Sequence, residues 1–261
     1  MKHLTPILTL AILLASSCTS QKKLAYLNNL PETNGEEFFT MEIPNYKIQP
    51  RDILLISVRA MNTEGMITEF LSGGRAIGGS SLQFESSQFI SGYDVDSKGN
   101  ISLPVLGEFK VEGFSLEELR DTLQTKFIKH YPNSTVECKL LSFKFTVIGE
   151  IRSPGTYINY NNYLTVLEAI GRAGGIGDYG RRDRILVVRP TDGGTRTFRL
   201  DLHDKNILSS EAYFLLPNDV VIVEAESKKV FNMNVPTISF IIGTATSLLT
   251  TTLLLINYFG K

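Results

Sequence analysis

Apolar and polar positions change period several times along the chain, and each change marks an element. The run ILLISV at 53–58 reads as a strand. Residues 61–92 are rich in Gly and Ser (LSGGRAIGGSS) and predict a long loop, with a short helix near 63–70. Ser97-Lys98-Gly99-Asn100 is a turn between two strands. Leu116, Leu119, Leu123 and Phe127 then recur at helical spacing. Ser115 and Glu118 form a capping box ahead of them, and Phe114 is placed to staple onto Leu119. His130-Tyr131-Pro132-Asn133 ends that helix, and 135–141 return as a strand. Alternation puts Val136, Cys138 and Leu140 on one face, which makes Cys138 a buried core residue.

A second unit follows. Residues 145–148 read as a strand, Ser153-Pro154-Gly155 as a tight turn, and Thr165 with Glu168 as a second capping box opening a helix at 166–173. Gly174 and Gly175 stand where a helix C-cap wants glycine, and 185–189 read as a strand. The stretch GGIGDYG contains GxGxxG, the spacing of a dinucleotide-binding loop. Such a loop needs a strand before it and a helix after it, because the pyrophosphate sits on the helix N-terminus. Here the order is reversed, so these glycines end a helix and turn the chain. Leu106-Gly107-Glu108 with Gly113 echoes Ile148-Gly149-Glu150 with Gly155 at an offset of 42. Two copies are too few for a solenoid and suggest two small α+β units in tandem, each running strand, Gly-Glu, strand, turn, helix.

Both ends of the chain are apolar. Residues 1–17 have a short basic start (Lys2, His3), an apolar stretch at 4–14 and small residues before Cys18, the layout of a secretory signal. The pattern predicts cleavage before Cys18 and lipidation of its thiol. Ala15 stands where a lipobox usually has Leu, so an ordinary signal peptide with a chance cysteine is the alternative. Residues 19–42 are polar and punctuated (NNLPETNGEE) and read as a linker or arm. At the other end, 237–259 hold 23 residues without charge. As a helix they would span about 34 Å, enough for a bilayer core. Thr237, Thr244, Thr251 and Tyr258 repeat every seven residues and Ser247 lies beside them, although Phe240, Leu248 and Leu255 interrupt the stripe. Helices packed in a ring would turn such a stripe toward neighbours or water. A lone membrane helix tolerates Thr and Ser as well.

Composition narrows the chemistry. The 261 residues carry a net charge of −1, so there is no basic excess and nucleic acid is not an expected partner. With Cys18 acylated, Cys138 has no cysteine to pair with. Of three histidines, His130 and His203 remain after signal removal, without ligand spacing, so neither metal nor other cofactor is expected. No GxSxG or HExxH occurs, and Asp94 and Asp96 read as strand-end acids rather than an acid/base pair. Arg181, Arg182 and Arg184, with Arg172 nearby, make a small basic cluster. It reads either as a solvated loop or as a contact for an anionic sugar polymer or a neighbouring subunit's acids.

Several of these segments, in order, resemble the outer-membrane polysaccharide biosynthesis and export lipoproteins. YKIQPRD and GNISLPVLGEFKVEGFSLEEL resemble the export domain. VIGEIRSPGTY, LTVLEAIGRAGGIGDYGRRDRILVVR and LLPNDVVIV resemble a soluble-ligand-binding β-grasp domain. The resemblance spans about Tyr46 to Val223. It implies an α+β fold: export domain at 43–142, β-grasp domain at 143–226, a lipidated arm at 18–42 before them and a transmembrane helix at 237–259 after them. It further implies a non-catalytic homo-oligomeric ring, eightfold in the best-known members. Periplasmic domains would stack beneath a helical barrel in the outer membrane and pass polysaccharide outward. The implied partner is an inner-membrane polysaccharide co-polymerase, often a tyrosine kinase. The best-known relatives carry two β-grasp domains where this chain has room for one, and the terminal helix here is more apolar and less amphipathic than a water-filled pore requires, so a simple anchor is the alternative for that helix. The alternative is a doubly anchored periplasmic scaffold or ligand-binding lipoprotein that lines no pore.

Overall fold

The structure is a computed structural model. It describes residues 24–31, 36–61, 67–71, 92–191 and 193–259, and of 67–71 and 230–238 the backbone alone. The fold is α+β, with two units in tandem and a long terminal helix.

In the first unit, β1 (Ile53–Met61) is the shared central strand. Along one edge it pairs antiparallel with β6 (Ser134–Leu140), from Leu54↔Leu140 to Ala60↔Ser134. Its other edge is shared by β3 (Tyr93–Asp94) at its start and β2 (Ile67–Leu71) at its end. The short helix expected near 63–70 is therefore, over 67–71, a strand. The sequence ITEFL alternates, and the free edge of β1 offers it a ladder. The rest of the expected loop, 62–66 and 72–91, lies outside the described residues.

A hairpin of β4 (Asn100–Leu103) and β5 (Gly107–Lys110) leads to α1 (Leu116–Ile128). The Ser115–Glu118 capping box is formed in both directions, and α1 buries Leu119, Leu123 and Phe127 against Leu54, Ile56, Val58 and Val136. Cys138 is half-buried at the margin of this core rather than inside it, and burial pushes its thiol up to about 12.

The second unit is a mixed sheet in the order β10-β9-β11-β7-β8. Its strands are β7 (Lys144–Gly149), β8 (Gly155–Ile158), β9 (Gly180–Thr191), β10 (Gly194–Leu200) and β11 (Val220–Ala225). β11 enters between β7 and β9, parallel to the first and antiparallel to the second. One helix, α2 (Val166–Arg172), buries Val166, Ala169 and Ile170 against Val147, Ile185, Val187 and Val221.

Gly174 and Gly175 have φ of +78° and +85°. Their amides donate to Gly171 O and Ile170 O, at 3.0 and 2.9 Å, and so close α2 in a Schellman motif. The GxGxxG stretch thus runs from a helix end into β9, which starts earlier than the expected 185–189 because Gly180 already pairs with Ala225 of β11. The two Gly-Glu echoes occupy different places. Gly107 opens β5, whereas Gly149 closes β7 with φ of +94°.

Candidate functional site

β11 ends at Ala225 and α3 (Ser227–Phe259) starts two residues later, so the terminal helix grows directly out of the central sheet. It is 33 residues long and begins ten residues before the expected 237. Pro236 lies within it; a proline removes one main-chain bond, which a long apolar helix tolerates. Ser239–Phe259, 21 residues, is long and apolar enough to cross a membrane, and none of it is covered by the rest of the chain. Phe240 is 72 % exposed and Leu248 69 %. Such a surface requires lipid or other helices around it.

At 100° per residue, Thr244, Ser247, Thr251 and Tyr258 fall within an arc of about 60° on α3. Phe240 lies in that arc too, so the stripe is polar but interrupted. Thr237 belongs to the stretch of α3 whose side chains are outside the described residues. The hydroxyls have local partners. Thr244 Oγ1 donates toward Phe240 O and Ile241 O at 3.0 and 2.9 Å, and Thr251 Oγ1 donates to Ser247 O at 2.7 Å. Thr246, Thr250 and Thr252, outside the arc, bond backward in the same way. Thr244, Thr246, Thr250, Thr251 and Thr252 are therefore satisfied within the helix, and these five hydroxyls can meet lipid without being orphaned.

The arm expected as a linker is docked on the second unit. Leu27 N donates to Leu202 O at 2.9 Å and Asn28 N to His203 O at 2.7 Å. Asn29 bridges to Asp204 and Lys205, and Glu37 pairs with Lys205 at 2.5 Å. Leu24 reaches a cavity of about 560 Å³ that Ser227 and Lys228 of α3 also line. Cys18 lies outside the described residues.

The four arginines do not act as one cluster. Arg181, Arg182 and Arg184 lie on β9, and the first two line that same cavity. Arg181 holds Asp183 through two contacts, 2.5 and 3.1 Å, which keep the Asp183 carboxyl below the usual range. Arg184 approaches Glu224 at 3.8 Å, and Arg199 takes the same carboxylate at 2.8 Å. Arg182 lies over the Tyr26 ring at 5.5 Å, its Nε buried without a hydrogen-bond partner. Arg172 ends α2 and donates to Ile158 O at 3.3 Å. Asp178, Asp183 and Glu226 also face the cavity, so its charges are mixed rather than purely basic.

Two polar centres that motif reading left without a role are structural. Asp52, 4 % exposed, accepts from Tyr46 Oη at 2.8 Å, Gln49 N at 2.9 Å and Ser142 Oγ at 2.9 Å. Burial raises its pKa against the pull of those three donors. Ser142 sits in the junction between the units, so the Asp of YKIQPRD pins the first unit's opening to its exit. In the second unit Arg189 grips Asp219 with contacts of 2.9–3.2 Å and donates to Phe214 O at 2.8 Å. Asp96 accepts from the amides of Lys98 and Asn100 and caps the turn before β4. Among the described residues no group of three or more His, Cys, Asp or Glu is placed to hold a metal ion.

Comparison with known proteins matches both units. Residues 41–140 match the polysaccharide biosynthesis/export protein family, and residues 143–223 match the SLBB domain. The chain is similar to the EPS I polysaccharide export outer membrane protein EpsA of Ralstonia solanacearum, 29 % identical over 191 residues, covering 71 % of this chain and 50 % of that protein. It is similar also to EpsA of Ralstonia nicotianae, 30 % identical over 157 residues, covering 57 % of this chain and 40 % of that protein. The chain thus spans half or less of the length of these curated relatives.

Proposed function

The chain belongs to the polysaccharide export family, and from that premise we propose that it is a non-catalytic outer-membrane lipoprotein forming a ring through which capsular or extracellular polysaccharide leaves the cell. The observation that carries this reading is α3, an uncovered apolar span leaving directly from the central sheet of the second unit. One copy of such a helix only anchors. Several copies side by side enclose a passage, and Thr244, Ser247, Thr251 and Tyr258, with Thr237, are the residues we place on the inner or contact face. The arginines of β9 and Arg172 remain candidates for contact with polymer or with a neighbouring subunit.

The arm supports one membrane for both anchors. Leu24 and Ser227 line one cavity. From Cys18 to Leu24 the chain reaches at most about 20 Å, at about 3.4 Å per residue. From Ser227 to Ser239 helix α3 rises about 18 Å. An acyl chain on Cys18 can therefore reach the level at which the apolar span begins, which fits soluble units hanging in the periplasm on one side. Energy for transport comes from polymer synthesis at the inner membrane, through a co-polymerase or tyrosine kinase partner.

The test is export in cells lacking the gene. Full-length protein restores surface polymer, and a chain stopped before Ser239 does not. Replacing Thr244 and Thr251 together by Leu lowers export if they line the conduit. A doubly anchored scaffold that lines no pore would tolerate both leucines with full export.

A further inference from the structure

A cleft opens where the two units meet, walled on one side by Tyr46 and Lys139 of the first unit and on the other by Tyr160, Asn161, Asn162 and Tyr163 of the second. The second wall is a short loop, NYNNY, between β8 and α2. Its shape is set from below. Asn159, 1 % exposed, donates through its amide to Asn161 O at 2.7 Å and Tyr163 O at 3.3 Å, and accepts from Asn161 N at 3.3 Å. Its own N–H is held by Phe143 O at 2.7 Å. Tyr163 is braced edge-on by Phe214, at 6.0 Å between ring centres. Tyr160, by contrast, stands 71 % exposed on this fixed frame. A buried amide is thus spent on holding an aromatic ring out toward solvent.

The cleft itself encloses only about 40 Å³ among Pro44, Leu140, Phe143, Leu215 and Pro217, so an occupant larger than a few waters lies across its rim, and the chemistry of that rim selects it. A pyranose offers an apolar C–H face and a rim of hydroxyls. Tyrosine supplies a rigid apolar face with a polar tip, and asparagine supplies both a donor and an acceptor at one amide. Lys139 is the charged group in the lining, and Glu137 already answers it at 2.8 Å. The cleft therefore presents matched charge and suits an uncharged stretch of sugar rather than a polyanion. We infer that the Asn159–Tyr163 loop and Tyr46 form a saccharide-binding cleft at the junction of the two units, with Tyr160 stacking on a sugar ring and Asn162 bonding its hydroxyls. This rests on the export reading, which is what brings a polymer past the cleft.

The test titrates full-length protein in detergent with oligosaccharides made by partial hydrolysis of the host's own secreted polymer, followed by saturation-transfer NMR. Wild type binds. Tyr160→Ala and Asn162→Ala each weaken binding about tenfold or a little less, the scale of one lost aromatic or hydrogen-bonded contact, while both keep the wild-type unfolding temperature. Equal binding by wild type and both variants overturns the inference, as does a wild type that binds none of the fragments. Variants that change particle size and leave sugar binding untouched overturn it too, and reassign the cleft to contact between copies. The export reading fails separately, if deleting the gene leaves surface polymer unchanged while the purified protein still binds the fragments.

Discussion

Asp52 shows how much of this protein rests on single polar groups. Its carboxylate takes three donors, one of them on Ser142, ninety residues away. Asp52→Ala strands buried donors, and the expected loss is about 2–3 kcal/mol in denaturant unfolding. Asp219→Ala goes further, because it leaves the Arg189 guanidinium buried without its counter-ion; the expected loss is about 3–5 kcal/mol, and replacing both partners by apolar residues costs less. Glu118 carries a pH dependence. The Lys47 ammonium and the Ser115 amide hold its carboxyl down, from 4.5 to about 2. A carboxyl held below its unfolded value stabilises above that value and loses its contribution as pH falls through the folded one. The advantage of wild type over Glu118→Gln is therefore full above 4.5 and gone near 2, which unfolding curves across that range measure. Motif reading finds YKIQPRD and LLPNDVVIV but not these roles, because Ser142 for Asp52, Arg189 for Asp219 and Lys47 for Glu118 each come from a distant segment.

At the level of elements, local signals were strong where a helix begins or ends. Both capping boxes and the glycine pair after α2 are spelled out within a few residues, and the structure forms them there. Strand limits were weaker, since pairing decides them. β9 extends back to Gly180 because β11 meets it there, and 67–71 is a strand because β1 has an open edge. Gly149 illustrates the same dependence. A Cβ on it would stand 2.1 Å from Val223 O on β11. Gly149→Ala must therefore push the parallel β7–β11 pair apart as well as strain a positive φ. The expectation is a loss of about 2 kcal/mol or more, seen as early exchange of the β11 amides. Ser115→Ala removes one capping bond and costs about 1 kcal/mol in the same unfolding assay.

At the scale of the whole molecule, the arm at Leu24 and the start of α3 at Ser227 meet on one cavity. Composition reveals an arm and an apolar helix but not their meeting, because the arm is held by main-chain bonds to Leu202 and His203 and by side-chain contacts with Asp204 and Lys205, all with partners about 170 residues away. The stripe on α3 was legible as spacing. Its consequence was not, because backward-bonded threonines suit a lone helix and a ring alike. The central claim, that copies of this chain close into a ring around a bundle of α3 helices, is tested most directly by single-particle imaging of full-length lipidated protein in mild detergent. The account predicts closed rings of one symmetry, with the helices gathered at the end formed by the second unit. Monomers or open clusters in several detergents would contradict it and leave an anchored scaffold in its place.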